Sequence, residues 1–352
     1  MAKAKPIVVV NTKSGVIWTD NLFCDEKDRV ADKKVYVTPK ISMASGDANA
    51  NLVASTSLKL DAHKYAKMRD LNDLNLTSRS KFEVFLPSTN LKSKFSYVQA
   101  DTNKSTAKAK GQLVSMETFD SYFSAMHELS EKVKLDTWVE FEKIHLEKKY
   151  DNLHDSQSIY FNTKLTKAFS EKLSVGPLGK CWHTRIKKPK SFSSQCLAIH
   201  AKYEASGRWK MEGHMGLQLL HSHSAETINA FIFKGEMEYI LSLPSKIVAE
   251  IKQKMDTTME GNVFQKTSLA VKFFLLWCKM LALRASALIQ YNDYKDYERH
   301  DRLAKLSLDF RVYFGRNRYI DIISYQFARN RSNMAGKSYG SHSIGAGIFF
   351  EF

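Results

Sequence analysis

Cys181, His183, Cys196 and His200, followed by His214, His221 and His223, are side chains of the types that hold zinc. Their spacing is wider than the close pairs of well-known tetrahedral motifs, so neither a metal nor any other cofactor is expected. Gly336-Lys337-Ser338 has the ending of a phosphate-cradling loop, but Arg331 stands where its first glycine belongs. An acid–base hydrolase would draw on His221, His223, Asp293, Asp296, His300 and Asp301. No nucleophile motif stands beside them, so enzymatic function is not expected. The basic triplets Arg316-Asn317-Arg318 and Arg329-Asn330-Arg331 suit phosphates, either of nucleic acid or of lipid headgroups and lipopolysaccharide.

The elements that must position these residues are legible in the patterning. The chain has 352 residues with 53 Lys and Arg against 37 Asp and Glu, a net charge of +16 that favours anionic partners. Four cysteines over this length make no disulfide framework. The most apolar stretch, Ser268–Tyr291, is interrupted by Lys272, Lys279 and Arg284, which argues against a spanning helix. The start, MAKAKPIVVV, lacks the long apolar core of a secretory signal. Phe119, Tyr122, Phe123 and Met126 fall at helical spacing, yet the dominant period is two. Leu306, Leu308, Phe310, Val312 and Phe314 alternate with Ser307, Asp309, Arg311 and Tyr313, and Leu197, Ile199, Ala201 and Tyr203 alternate with polar neighbours.

Marking strands by this alternation gives about eighteen (16–18), at approximately 5–19, 34–44, 50–63, 73–85, 90–100, 115–128, 132–146, 157–169, 172–185, 195–204, 208–219, 227–242, 246–256, 263–276, 279–291, 302–314, 318–328 and 341–352. Short connections such as Ser206-Gly207 and Leu243-Pro244-Ser245 alternate with long polar ones such as 101–114 and 292–301. That order predicts an all-β, antiparallel up-and-down transmembrane barrel over 1–352 as a single domain, with short periplasmic turns and long extracellular loops. An open sheet of this size would expose its edges and an apolar face, whereas closure in lipid satisfies every backbone group.

With so many strands the interior is too wide for side chains to fill, and a polar, water-filled lumen is expected. Parity places Lys59, Arg79, Lys81, Glu83, Lys134, Glu140, Glu142, Lys202, Glu212, His214, Glu250, Lys252, Arg284, Asp309 and Arg311 on that inner face. Basic residues outnumber acidic ones there, which predicts a weak anion preference. Lys143 and His145 fall on the outward parity, where snorkelling at an interface accommodates them.

Val16-Ile17-Trp18-Thr19-Asp20-Asn21-Leu22-Phe23, then Ala31-Asp32 and Val35-Tyr36-Val37-Thr38-Pro39, resemble the opening of bacterial outer-membrane proteins of the beta-barrel porin 2 type. The end, from Tyr325 through Arg329-Asn330-Arg331-Ser332-Asn333 to Tyr339 and Phe352, resembles their last hairpin. The resemblance covers nearly the whole chain and implies an integral outer-membrane protein of Gram-negative bacteria that passes small solutes or exports exopolysaccharide. It also implies that Phe350 and Phe352 form the terminal aromatic signal read by the barrel assembly machinery, with membrane lipid and lipopolysaccharide as surroundings. Two other readings remain at this stage: a soluble basic nucleic-acid-binding or viral structural protein, and an outer-membrane barrel enzyme. No nucleic-acid partner is expected under the first reading.

Overall fold

The computed structural model describes residues 6–22, 24, 27, 29–46, 51–69, 73–103, 113–146, 155–186, 191–222, 225–258, 262–295, 298–314 and 318–352. Eighteen strands follow one another: β1 (Ile7–Thr19), β2 (Asp32–Ser45), β3 (Leu52–Tyr65), β4 (Asp73–Phe85), β5 (Thr89–Asn103), β6 (Leu113–Ser130), β7 (Val133–Leu146), β8 (Ser156–Ala168), β9 (Leu173–Ile186), β10 (Ser191–Ser206), β11 (Trp209–Ser222), β12 (Ala225–Ser242), β13 (Ser245–Thr257), β14 (Val263–Leu276), β15 (Leu281–Tyr294), β16 (His300–Tyr313), β17 (Tyr319–Ser332) and β18 (Tyr339–Glu351). Each pairs antiparallel with the next, and β18 returns to β1 through rungs from Asn11↔Glu351 to Thr19↔Ser343, so the sheet closes on itself. The segment around Phe119–Met126, apolar at helical spacing, is strand β6, because cross-strand pairing on both sides fixes a period of two.

Closure gives each residue one of two environments. On the outward face Leu197 is 71 % exposed, Leu217 64 %, Ile289 64 % and Ile199 63 %. A continuous apolar belt of this kind is foreign to a soluble monomer and suits a lipid surround. Outward aromatic pairs lie near both ends of the wall. Trp209 and Tyr239 (ring centroids 4.4 Å apart) and Phe314 and Phe350 (6.2 Å) mark the short-turn end. Tyr325 and His342 (6.1 Å) mark the long-loop end. Aromatic girdles at the two interfaces have this arrangement.

The strands are 13 to 18 residues long where the length is defined by their ends, longer than the roughly 9–11 that span a bilayer. The excess lies on the long-loop side, and it converts predicted loop into strand. Arg329-Asn330-Arg331 belongs to β17, Asp293 to β15, and His300 and Asp301 to β16. Ladder hydrogen bonds satisfy the backbone in either solvent, so pairing continues beyond the apolar belt.

One seam departs from this regularity. The β12–β13 ladder ends at Phe233↔Gln253, while β11–β12 continues to Ser222↔Ala225 and β13–β14 to Thr257↔Val263. The wall therefore parts on the long-loop side, and side chains replace the missing rungs. Gln253 Nε2 donates to the Phe231 carbonyl (2.8 Å), and the Met255 N–H donates to Gln218 Oε1 on β11 (3.2 Å). The end of β13 thus leans past β12 onto β11, and Met255 joins a small buried cluster with Ile186, Phe192, Leu220 and Val263.

Candidate functional site in the barrel interior

The concave face is identified by contacts that skip a strand. Lys13 on β1 reaches Asp321 on β17 (Nζ–Oδ2 3.0 Å) across β18, where Gly347 stands between them in the rungs Asp321↔Gly347 and Gly15↔Gly347. A side chain at either glycine would fill that path: a Cβ on Gly347 would meet Ser14 O and Tyr36 Oη at 2.8 Å, and one on Gly15 would meet Ala346 O at 2.3 Å. Asp321 also accepts from Arg311 Nε (2.7 Å), whose guanidinium lies 3.6 Å from the Tyr319 ring centroid, and Tyr319 stacks on Phe349 at 4.6 Å. Cation, carboxylate and aromatics are thereby locked together beside the strand pair that closes the barrel.

Tracing parity from this cluster around the ladders shows where the candidate residues stand. Lys59, Arg79, Lys81 and Glu83 share the face that carries Lys13, opposite the exposed Leu58, Leu74 and Phe82. Glu83 takes both Lys81 (2.8 Å) and Lys92 (2.5 Å), and Lys59 pairs with Asp61. On β7, Lys134, Glu140 and Glu142 alternate with outward Val139 and Phe141, and Trp138 Nε1 donates to Glu140 (3.0 Å). Lys143 and His145 occupy the outward parity, with His145 against Asp155 (3.1 Å). Lys202, Glu212 and His214 lie on β10 and β11 with His200, which contacts Glu212 at 3.0 Å. Glu250 meets Lys234 (3.4 Å), and Lys252 follows it on β13. Arg284 and Asp309 are opposite one another, Arg284 over the Phe274 ring (5.2 Å) and Asp309 accepting from Ser324 Oγ (2.6 Å).

Two of the wall cavities gather groups from β7 to β13. One, of about 560 Å³, lies at the short-turn end of β7–β11 and is lined by Lys134, Asp136, Lys164, His200, Lys202 and Glu212. The second, of about 280 Å³, lies where β13 leans inward, with Lys180, Lys252, His214, Tyr160 and Trp182 on its walls. Lys94, Lys180, Lys252 and Arg284 have no carboxylate at ion-pair distance among the described residues. Instead Lys94 lies 4.8 Å from the Tyr122 ring and Lys180 Nζ donates to His214 Nε2 (3.3 Å). Parity reasoning omitted Lys13, Lys94, Lys180 and Asp321. The alternation of β5 and β9 would have found Lys94 and Lys180, but the register shift between Asp321 and Ser324 breaks the parity of β17, and β1, with Asn11, Thr12, Lys13 and Ser14 in succession, carries no clear face.

The other candidate chemistries disperse. Pairing of β9 with β10 sets Cys181 and His183 on the outward face and Cys196 and His200 on the inward one, so the four never converge. Asp293 is taken by Lys295 (2.5 Å) and His300 (2.9 Å) on the outward face. Asp301 is held by a buried, two-pronged contact from Arg299, at Nε 3.0 Å and Nη2 2.5 Å. His221 contacts Thr227 (2.8 Å). His223, Asp296, Arg316 and Asn317 lie outside the described residues. Gly336 occupies a turn with φ +75°, and the Lys337 carbonyl accepts from Asn330 Nδ2 (2.8 Å). Phe350 sits opposite Thr12, and Phe352 exchanges backbone hydrogen bonds with Val10 (2.7 and 3.3 Å).

No protein-family model and no curated protein matches this chain. Its fold is similar to solved structures of bacterial barrels. The outer membrane protein OpdK of Pseudomonas aeruginosa superposes with a TM-score of 0.54 at 10 % identity, over 98 % of this chain and 99 % of that one. A structure of OpdK with vanillate has also been solved, with a TM-score of 0.53 at 10 % identity, over 98 % of this chain and 99 % of that one. OccAB2 of Acinetobacter baumannii gives 0.54 at 9 % identity, over 99 % and 98 % of the two chains. At such identities the likeness establishes the fold, a closed eighteen-stranded antiparallel barrel, and it lends no support to the exopolysaccharide link.

Proposed function

We propose that the chain is an integral outer-membrane channel through which small solutes pass, with a weak preference for anions. The observation that carries the preference is that several inward cations, among them Lys94, Lys180, Lys252 and Arg284, have no carboxylate at ion-pair distance among the described residues. Fixed charges along a pore wall raise the local concentration of the opposite ion and lower its barrier to entry. The outward apolar belt supports a membrane location and argues against a soluble nucleic-acid-binding protein. The dispersal of the acid–base candidates argues against a barrel enzyme. Lys59, Arg79, Lys81, Glu83, Lys134, Glu140, Glu142, Lys202, Glu212, His214, Glu250, Lys252, Asp309 and Arg311 complete the wall in this reading. Phe350 and Phe352 serve as its assembly signal.

Small carboxylates are the first solutes to try, and vanillate, present in one OpdK structure, is a convenient member of that class. The test is reversal potential in planar bilayers under a potassium chloride gradient, repeated with potassium vanillate. A reversal potential on the chloride side of zero supports the reading. Clear cation selectivity, or no conductance from a folded barrel, overturns it.

A further inference from the structure

The outward wall changes character abruptly near the long-loop ends of β16, β17 and β18. Along β17 the outward positions run Tyr325, Phe327, Arg329 and Arg331. Along β16 they run Leu308, Leu306, Ala304 and Arg302, and along β18 Ile348, Ala346, Ile344 and His342. Arg331 stands directly opposite Arg302, and Arg329 opposite Ala304. From the loop between β1 and β2, Arg29 reaches over the same face, its Nη2 3.9 Å from where a Cβ on Gly340 would lie. Arg29, Arg329, Arg331 and His342 line a groove of about 340 Å³ with Phe327 as part of its floor.

The groove is lined by arginines from two segments of the chain. None of Arg29, Arg302, Arg329 and Arg331 makes an ion pair among the described residues. The nearby Asp20 carboxylate accepts from the His342 backbone N–H (2.6 Å). Like charges directly opposite on a ladder repel, so an anion bridging Arg302 and Arg331 would remove a penalty as well as add bonds. Guanidinium groups present paired N–H donors that match phosphate oxygens.

Position identifies the anion. Counting Tyr319 as the first residue of β17, Arg329 is the eleventh and Arg331 the thirteenth, at the end of and just past the roughly 9–11 residues that cross the hydrocarbon. Immediately below them the wall is aromatic and aliphatic side by side: Phe327 lies against the His342 ring (4.9 Å) and opposite the exposed Leu306, and Tyr325, bonded to His342 Nδ1 (2.8 Å), lies opposite the exposed Ile344. A ligand matching both zones has phosphates joined to acyl chains and lies in the leaflet on the long-loop side.

We infer that this groove is a binding site for the phosphorylated diglucosamine headgroup of a lipid A-type glycolipid, with its acyl chains along Phe327, Leu306 and Ile344. This rests on the outer-membrane reading but not on conduction. The barrel purified in detergent is titrated with diphosphoryl lipid A, with the fully dephosphorylated lipid and with inorganic phosphate, and binding is read by native mass spectrometry. Diphosphoryl lipid A is expected to bind the parent and to bind Arg329→Gln/Arg331→Gln roughly 100-fold more weakly, since two charge-assisted contacts are lost. Arg329→Lys, which retains charge but not the fork, should fall between them. Circular dichroism and the shift in gel mobility on boiling confirm that each variant is folded, and the single Arg329→Gln variant carries the test if the double one is not.

Equal affinity in parent and variants, or equal binding of the dephosphorylated lipid, overturns the site. Displacement of the lipid by equimolar phosphate would make it a free-anion site and overturns the lipid assignment. Conductance recorded from the same preparations separates the two readings. Arginine-dependent lipid binding by a non-conducting barrel refutes the channel alone, and a conducting barrel indifferent to the arginines refutes this site alone.

Discussion

Replacing Asp321 by alanine tests whether the interior ion cluster holds the barrel closed. The Asp321 side chain is 5 % exposed and that of Arg311 8 %, while Lys13 is 37 % exposed. Alanine removes the acceptor of both cations, leaving the Arg311 guanidinium sandwiched on Tyr319 without a counter-charge and with Lys13 nearby. Breaking a buried pair by deleting one partner costs about 3–5 kcal/mol. Lys13 is partly exposed, which favours the lower end of that range, about 3 kcal/mol. The cluster links β1 to β17 over β18, so the loss falls on the closing seam. Reversible urea unfolding in lipid vesicles, followed by tryptophan fluorescence, measures it. Lys202→Gln serves as the control, because the Lys202–Glu204 pair is exposed (47 % and 40 %) and such pairs contribute about 0–1 kcal/mol. If Asp321→Ala costs no more than Lys202→Gln, the cluster does not hold the seam and the argument fails.

Other outcomes follow from particular contacts. Gly15→Ala should impair assembly more than Gly347→Ala, because its Cβ would strike the Ala346 carbonyl at 2.3 Å, whereas Gly347 faces Ser14 O and Tyr36 Oη at 2.8 Å; the yield of heat-modifiable barrel compares them. Gln218→Ala strands the Met255 N–H, at a cost of about 1–3 kcal/mol, and hydrogen exchange should rise at 254–257 while β11 stays protected. Lys180→Glu/Lys252→Glu places two carboxylates in the cavity beside Trp182 and should move the reversal potential toward cations, and an unchanged value would remove these lysines from the permeation path.

The local pattern carried the strands, their parity and the alternation of turn lengths, because a period of two is written residue by residue and does not depend on what the strand meets. Leu197-Ala198-Ile199-His200 declares two faces wherever it is folded. The sequence also placed Lys81, Glu83, Glu212 and Arg284 on one face, since parity persists along an unbroken strand. It did not show which strands run past the bilayer, and Arg329 and Arg331 read as loop because charge marks solvent whether or not the backbone is paired.

Tertiary structure decided what depends on partners far apart in the chain. The Lys13–Asp321 contact exists because residues 308 positions apart (321 − 13) meet where the sheet closes over Gly347. Cys181 and Cys196 lie on opposite faces because the rung Gln195↔Cys181, set by the whole ladder, gives them different parity. The parting of β12 from β13 lies between two ladders that run on, and Gln218 and Gln253, on different strands, supply side-chain bonds where backbone rungs are missing. Strand character is a local property of the chain, whereas closure, register and the meeting of charges are non-local: they are settled only when each edge finds its partner.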